Sequence, residues 1–263
     1  MGPGTFVAPT RVTAALVLAQ TGGCRVAGLS ETDQHATHDK PQHAFTDGLS
    51  LSERAHDEIE HRIATCELAP GASLSEKRLS SALGIGRTPI REALQRLSRE
   101  GMVRVLPRRY IQVSTIDVHS QLLLLEVRRE IARVVARSAA VRATDEERSA
   151  IEAIASDMAA AVEVHDELDF MRLDRVFDRL LGRATHNEFA SAALDVTSGL
   201  LRRFWFVNRT QGEQNLEAMM AHRAGLVSAV MARDPEAASA ASDALLDYVE
   251  SFARTSASPE AVF

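Results

Sequence analysis

The sequence has few cysteines and no long apolar run, and each of these features excludes a class of protein. Two cysteines in 263 residues, Cys24 and Cys66, cannot form the disulfide framework of a small secreted protein, so we expect a reducing, cytoplasmic location. The apolar run at 12–19 has eight residues and is too short to span a membrane. No internal repeat is evident. The sequence therefore predicts a cytoplasmic protein with no membrane partner.

The first 48 residues differ in composition from the rest of the chain. Residues 1–48 are rich in Gly, Pro, Thr, Gln and His and show little periodicity, so we expect them to be disordered. The apolar run ends near Cys24, as in a lipoprotein signal, but the three residues before this cysteine match the usual cleavage box poorly. A start codon placed too early is an alternative explanation. The histidines of this segment are interpreted as tail residues rather than metal ligands.

Residues 76–101 carry the strongest signal, a short turn between two amphipathic helices. Gly84 is predicted to end the first helix with left-handed backbone, which glycine adopts at little cost. Thr88 is predicted to cap the second helix, with Pro89 at the first helical position. The apolar side chains of the second helix share one face and its other face is basic. A compact helix-turn-helix with a basic second helix is suited to the major groove of DNA.

The residues that follow the helix-turn-helix predict a wing, and the distribution of charge along the chain agrees with DNA binding. Alternating Val and Ile residues predict two short strands, at 103–105 and 111–113, on either side of a basic tip at Pro107-Arg108-Arg109, which is the pattern of a wing. The chain has a net charge of −6, but residues 77–109 hold nine basic and two acidic residues. Residues 115–254 hold sixteen basic and twenty-three acidic residues. A basic module joined to an acidic one predicts that only the first binds double-stranded DNA.

A specific set of residues in this region matches a known family. They are Pro70-Gly71, Leu74-Ser75-Glu76, Leu79, Leu83-Gly84, the run from Arg87 to Leu94, Leu97 and Glu100-Gly101. On these residues, 51–114 resemble the winged-helix DNA-binding domain of the GntR family of bacterial transcription regulators. The resemblance implies DNA contacts from Lys77, Arg87, Thr88, Arg91, Arg108 and Arg109. Tyr110 stands where the family's wing usually has Gly, which implies a stiffer wing.

Beyond Asp117 helical spacing dominates, and we find no convincing strand pattern. Helices are predicted at 117–142, 145–165, 168–184, 187–210, 213–232 and 235–255. This half resembles the FCD effector domain of the FadR branch of GntR regulators. The residues that carry the resemblance are Val127-Arg128, the run from Ala143 to Glu147, Asp174-Arg175-Val176-Phe177, Asn187 and residues 229–234. The resemblance implies that this domain binds a small carboxylate or other metabolite and forms a homodimer.

The resemblance also implies a divalent metal held by one Asp and three His, and here the sequence departs from it. Asp174 matches the Asp, but the other positions fall on Asp178, on Arg223 and on or near Leu245. We expect no metal or other cofactor, because a guanidinium would repel the cation. A shift of one residue would instead make His222 a ligand together with the two aspartates. A further alternative is that these charged side chains form an ion network without a ligand.

Our preferred hypothesis is that arginines take over the task of the metal. Arg223 and Arg128 can hold a carboxylate effector bidentately. Asp174 or Asp178 would then orient an arginine or a ligand hydroxyl. Trp205, the only tryptophan, would form a wall of the effector pocket with its two flanking phenylalanines, or would pack in a core or dimer interface.

Together these observations predict a mainly α protein. It has a disordered extension at 1–48, a winged helix-turn-helix of three helices and a two-stranded wing at 49–114, an all-helical bundle at 117–256 and a tail at 257–263. We expect a dimeric repressor that binds an inverted-repeat operator and responds to an organic acid.

Two alternatives remain at this point. One is an effector-independent DNA-binding regulator with a degenerate sensor domain. The other is a metal-dependent hydrolase that uses Asp174, Asp178 and His222, although the sequence shows no constellation of nucleophile and base.

Overall fold

The computed structural model describes residues 48–106, 110–209 and 216–256. Between residues 48 and 113, three helices and three strands follow one another in the order of a winged helix-turn-helix. They are α1 (Leu51–Ala64), β1 (Ser73–Leu74), α2 (Glu76–Leu83), α3 (Arg87–Arg99), β2 (Val103–Leu106) and β3 (Tyr110–Val113). The predictions made for residues 1–47, for the wing tip at 107–109 and for 257–263 lie outside the described residues.

The turn of the helix-turn-helix forms as predicted at one end and differently at the other. Gly84 ends α2 in left-handed backbone, with φ +64°. The prediction that Thr88 caps α3 is wrong, because α3 begins at Arg87 and its N-cap is Gly86. Pro89 is therefore the third helical residue. It is tolerated there because the first four N–H groups of a helix have no intrahelical acceptor in any case.

The wing is part of a small antiparallel sheet in the order β1-β3-β2. The two wing strands pair from Val103 with Val113 to Leu106 with Tyr110. On its other side β3 pairs with β1, where Ser73 lies opposite Gln112. The sequence analysis missed β1, since two residues are too few to show an alternating pattern. The extra strand ties the base of the wing to the segment just before α2.

Beyond the wing, the six predicted helices are all present. They are α4 (Val118–Arg142), α5 (Asp145–Glu163), α6 (Glu167–Arg183), α7 (Glu188–Asn208), α8 (Leu216–Met231) and α9 (Pro235–Ser256). Polar side chains accept hydrogen bonds from the first-turn amides at several starts, and Thr144 forms a full capping box with Glu147 at the start of α5. Predicted and observed ends differ by at most two residues, apart from the start of α8, since 213–215 lie outside the described residues.

The described residues form two hydrophobic cores. The first unites α1, α3 and the sheet, and Ile59, Ile90 and Leu97 are completely buried in it. The second lies among α4 to α9, where α4 packs along α9 and Phe204 meets Phe252 edge to face, with ring centroids 6.0 Å apart. The structure is therefore mainly α, with a DNA-binding module followed by a helical bundle, as predicted.

Several contacts join the module to the bundle. Helix α1 packs against α7. In addition, the buried Arg203 of α7 donates hydrogen bonds to the carbonyl oxygens of Ser114 (2.9 Å) and Thr115 (3.3 Å), in the segment between β3 and α4. Within the described ranges, no helix is long and apolar enough to cross a membrane.

Candidate functional site

The amino-terminal end of α3 presents an exposed polar surface. Arg87 and Thr88 lie in its first turn and are exposed, as is Lys77 on α2. Arg91, one turn further along α3, is exposed as well, but its guanidinium forms two hydrogen bonds with the Glu76 carboxylate, at 3.0 and 2.9 Å. Four of the six predicted DNA-contact residues thus share one accessible surface. Arg108 and Arg109 lie outside the described residues.

The predicted effector residues meet in the interior of the bundle. We call the buried side chains of Arg128 (α4), Asp174 and Asp178 (α6), Arg202 (α7) and Arg223 (α8) the Asp–Arg cluster; each is less than 9% exposed. The two aspartates are four residues apart and therefore lie on one face of α6. Sequence analysis predicted every member of the cluster except Arg202.

Arg128 holds the cluster against α7. Its Nη1 donates hydrogen bonds to the carbonyl oxygen of Leu194 (3.0 Å) and to the hydroxyls of Thr197 (2.9 Å) and Ser198 (3.0 Å). Its Nη2 donates to the carboxylate of Asp178 at 3.3 Å. The Ser198 hydroxyl also donates to this carboxylate, at 2.6 Å. Such dense pairing is what a buried guanidinium requires, because an unpaired buried charge is costly.

The second aspartate is paired with Arg223, which donates a hydrogen bond to the Asp174 carboxylate. Burial favours the neutral form of both carboxyl groups. At Asp174 burial dominates and raises the pKa. At Asp178, Arg128 and its neighbouring arginines outweigh burial, and the pKa is lowered.

The cluster forms the polar side of a cavity of about 530 Å³, including the space at its mouth. The other walls are apolar and come from α6, α7, α8 and α9, with Phe170, Trp205, Met219 and Leu246 among them. Trp205 is thus both a core residue and part of the wall, whereas its flanking phenylalanines are not among the lining residues.

All four positions that match the family's metal ligands border this cavity, namely Asp174, Asp178, Arg223 and Leu245. His222 does not border it, and its ring lies 5.1 Å from the ring of Tyr248. In the part of the chain that the structure describes, no group of three or more His, Cys, Asp or Glu residues is arranged to hold a metal ion. Of the three positions that match the family's histidines, one carries a guanidinium (Arg223), one a carboxylate (Asp178) and one an apolar side chain (Leu245).

Arg202 flanks the predicted aromatic wall but was not among the predicted effector-binding residues. Its Nη1 lies 3.6 Å from a carboxylate oxygen of Asp174 and 3.6 Å from one of Asp178. Its Nε and Nη2 donate to one oxygen of Glu60 on α1, at 3.3 and 3.1 Å. The signal was available, because Arg202 is three residues from Trp205 and a helix places such residues on one face.

Further ion pairs connect α1 to the bundle beside Arg202. Arg179 donates two hydrogen bonds to the Asp57 carboxylate, at 3.0 and 2.7 Å. His56 is 5% exposed and lies 2.7 Å from Glu100 and 3.3 Å from Asp57. Burial alone would lower the pKa of His56, but the hydrogen bonds to these two carboxylates outweigh it and raise the pKa above 6.5.

Comparison with known proteins adds to this geometry. Residues 51–113 match the family described as "Bacterial regulatory proteins, gntR family", and residues 123–248 match the FCD domain. The chain therefore carries a GntR DNA-binding domain followed by an FCD domain. The FCD match agrees with the resemblance to the FadR branch. GntR regulators bind DNA and are not enzymes, so the hydrolase alternative is wrong.

Several curated GntR proteins are similar to this chain. The HTH-type transcriptional repressor RspR of Escherichia coli K12 is 27% identical over 175 residues, which cover 66% of this chain and 76% of RspR. An uncharacterized HTH-type regulator from an unstable DNA locus of Streptomyces ambofaciens is 40% identical over 74 residues. That match covers 28% of this chain and 31% of the relative.

Solved structures share the fold. E. coli McbR/YncC superposes with a TM-score of 0.62 at 20% identity, over 76% of this chain and 94% of that chain. A GntR regulator from Rhodococcus sp. RHA1 gives a TM-score of 0.56 at 18% identity, over 78% of this chain and 98% of that one. These likenesses support the mainly α architecture of winged helix-turn-helix plus helical bundle.

Proposed function

We propose that this GntR regulator is a homodimeric, cytoplasmic repressor that binds an inverted-repeat operator and releases it when an organic acid binds beside the Asp–Arg cluster. The observation that carries the proposal is the cavity, in which buried guanidinium groups face apolar walls. Guanidinium groups bind carboxylates through paired hydrogen bonds. A regulator that responds to a ligand needs an effector site apart from its DNA-binding surface, and this cavity is a candidate for that site.

For operator binding, we assign base contacts to Arg87 and Arg91 at the start of α3, and backbone contacts to Lys77 and Thr88. Residues at the start of a recognition helix reach base edges in helix-turn-helix proteins. Arg91 has to exchange Glu76 for DNA, which is feasible because an exposed ion pair is weak in water. Arg108 and Arg109 are assigned to phosphate or minor-groove contacts from the wing tip.

A homodimer is supported by an apolar stripe on the outside of α4. Val127, Val134 and Val141 recur every seven residues on one helix face and are 58%, 45% and 62% exposed. A second copy that packs against this stripe would remove it from water and would place two α3 helices for the two halves of an operator. The name of the relative RspR, a transcriptional repressor, favours repression over activation.

The proposed site works without a metal. Arg223 stands at one of the family's ligand positions and bonds to Asp174. A metal ion would add its charge to the three guanidinium groups that already surround the two carboxylates, which repels it. A degenerate sensor without any effector is the second candidate function. It is favoured by the internal pairing of the cluster, because Asp174, Asp178 and all three arginines already have ionic partners.

The proposal is tested with an operator selected by the full-length protein from random-sequence DNA. The variant Arg87→Ala should weaken specific binding about ten- to a hundredfold, as expected for loss of a base contact. Arg99→Ala, at the far end of α3, serves as the matched control and should change the affinity less than about threefold. Equal effects of the two substitutions would overturn the assigned orientation.

For the effector, the emission of the single Trp205 is followed during titration with organic acids. Trp205 borders the cavity and is 5% exposed, so a ligand in contact with it should shift its emission. If no acid changes either the emission or the melting temperature, the effector-independent candidate is supported instead.

A further inference from the structure

Arg202 connects the effector cavity with the DNA-binding module through a single side chain. One edge of its guanidinium, Nε and Nη2, is bonded to Glu60 of α1. The other nitrogen, Nη1, is buried and has no hydrogen-bond partner among the described residues. It lies 3.6 Å from carboxylate oxygens of Asp174 and Asp178, which both border the cavity. A buried donor without an acceptor is uncommon, and an oxygen atom of a ligand at this place would supply the acceptor.

The charges around the cavity explain what Glu60 contributes. The bundle itself supplies three guanidinium groups and two carboxylates, so the Asp–Arg cluster carries one excess positive charge. Glu60, which is 2% exposed, comes from α1 and provides a negative charge that Arg202 shares with Arg175. A buried excess charge has to be neutralised, and one carboxylate is enough to do so.

We propose that an apolar monocarboxylate binds at Arg202 and replaces Glu60 as the balancing anion, so that the effector is sensed by competition for one guanidinium. This inference rests on the proposed function, and it adds the ligand class and the residue that transmits binding. A monocarboxylate matches the single excess charge, whereas a dicarboxylate would leave a buried negative charge. An apolar body matches the walls formed by Phe170, Trp205 and Leu246.

Glu60 packs closely against α7, so a movement of Arg202 toward a ligand would alter the contact between α1 and α7. A Cβ atom on Gly199 would lie 3.1 Å from Oε1 of Glu60, so the carboxylate packs against the bare backbone of α7. Arg175 also holds Glu60, at 3.2 Å, but it does not border the cavity. When Arg202 turns toward a ligand, Glu60 keeps Arg175 as its ionic partner and loses Arg202. The contact between α7 and α1 is then weaker.

Coupling of this kind is reciprocal. If a monocarboxylate loosens α1 and lowers operator affinity, operator DNA lowers the affinity for the monocarboxylate by the same factor. Glu60 then opposes ligand binding in the free protein. Removal of its charge should tighten ligand binding and abolish the response of DNA binding at the same time.

The experiment uses the full-length protein, hexanoate and phenylacetate as probes, their uncharged amides as controls, and adipate as the dicarboxylate. Trp205 emission gives probe affinity, and fluorescence anisotropy of the selected operator gives DNA affinity with and without probe. We expect the monocarboxylates to bind, the amides and adipate to bind at least about fivefold more weakly, and operator affinity to fall at least about fivefold on saturation with probe.

Two matched variants test the role of Glu60. Glu60→Gln keeps the shape and should bind the monocarboxylates at least about fivefold more tightly, while probe changes its operator affinity less than about twofold. Arg179→Gln removes a neighbouring contact with α1, the one to Asp57, and leaves Arg202 and Glu60 intact. This control should retain the response of the unchanged protein. The inference is overturned if Glu60→Gln binds probe no more tightly and still responds.

Failure of the organic-acid proposal is distinguished from failure of this inference by a ligand-free measurement. If none of the probes binds, the operator affinities of Glu60→Gln, Asp174→Asn and the double variant are compared. Transmission through Arg202 predicts that the two changes are not additive, with a deviation of at least about threefold. Additive effects would overturn the inference, whatever the ligand.

Discussion

Replacement of Arg128 by methionine should destabilise the effector domain strongly. Methionine keeps much of the apolar stem but leaves the buried carboxylate of Asp178 without its hydrogen-bonded arginine. It also leaves the carbonyl of Leu194 without this donor. Removal of one partner from a buried ion pair costs about 3–5 kcal/mol.

The geometry places the expected cost at the lower end of this range. Asp178 keeps its hydrogen bond from Ser198 at 2.6 Å, and the guanidinium groups of Arg202 and Arg223 remain 3.6 and 3.7 Å away. We therefore expect a loss of about 3 kcal/mol. For a protein of this size this corresponds to a fall in melting temperature of about 6–12 °C.

Urea unfolding followed by the emission of Trp205 measures this loss, because Trp205 lies in the effector domain and reports on its packing. The matched control is Arg137→Met, an exposed residue on the same helix, which should change the free energy of unfolding by less than about 0.5 kcal/mol. The double variant Arg128→Met/Asp178→Asn should lose less than the sum of its single changes. A loss below about 1 kcal/mol for Arg128→Met would refute the view that the cluster depends on paired buried charges.

Three further predictions concern stability, metal binding and assembly. The free energy of unfolding should fall as the pH rises above 6.5, because the raised pKa of His56 keeps it charged in the folded state after the unfolded chain has lost that proton; urea unfolding at pH 6 to 8.5 tests this, and a flat profile would contradict it. The triple variant Asp178→His, Arg223→His and Leu245→His should bind zinc in equilibrium dialysis, whereas the unchanged protein should not; equal zinc content in both would contradict the proposed loss of the metal site. Val134→Lys should convert dimer to monomer in sedimentation equilibrium, and an unchanged mass would exclude the stripe on α4 as the interface.

The fold was largely predictable because the signals are local. Caps such as Thr144, the glycine at 84 and the apolar periodicity of α4 to α9 act within one or two turns of a helix. The errors are also local: Thr88 resembles a cap, but Gly86 takes that position because the helix begins two residues earlier than expected. Strand β1 escaped prediction because its partner, β3, lies almost forty residues further along the chain.

The part of the candidate site that matches the family's metal-ligand positions could be predicted from the sequence. Asp174, Asp178 and Arg223 were predicted from that pattern, and the fold brings them to one cavity. Glu60 and Arg202 could not be paired in this way, because they lie 142 residues apart in different parts of the fold. An acidic residue on a helix is interpreted as solvent-exposed unless its partner is known. Glu60 is buried because α1 packs on α7, and this packing is visible in the structure but not in the sequence.

The hydrogen bonds from Arg203 to Ser114 and Thr115 have a mechanical consequence. The segment between β3 and α4 has only four residues, and two of its carbonyl groups are anchored to α7. A connection of this kind cannot act as a flexible tether that absorbs displacement. Any rotation of α7 is therefore transmitted to the base of the wing as well as to α1, because the same helix contacts the DNA-binding module at more than one point. Insertion of a few flexible residues after Ser114 would leave both halves folded. It would reduce the extent to which a rotation of α7 moves the DNA-binding module.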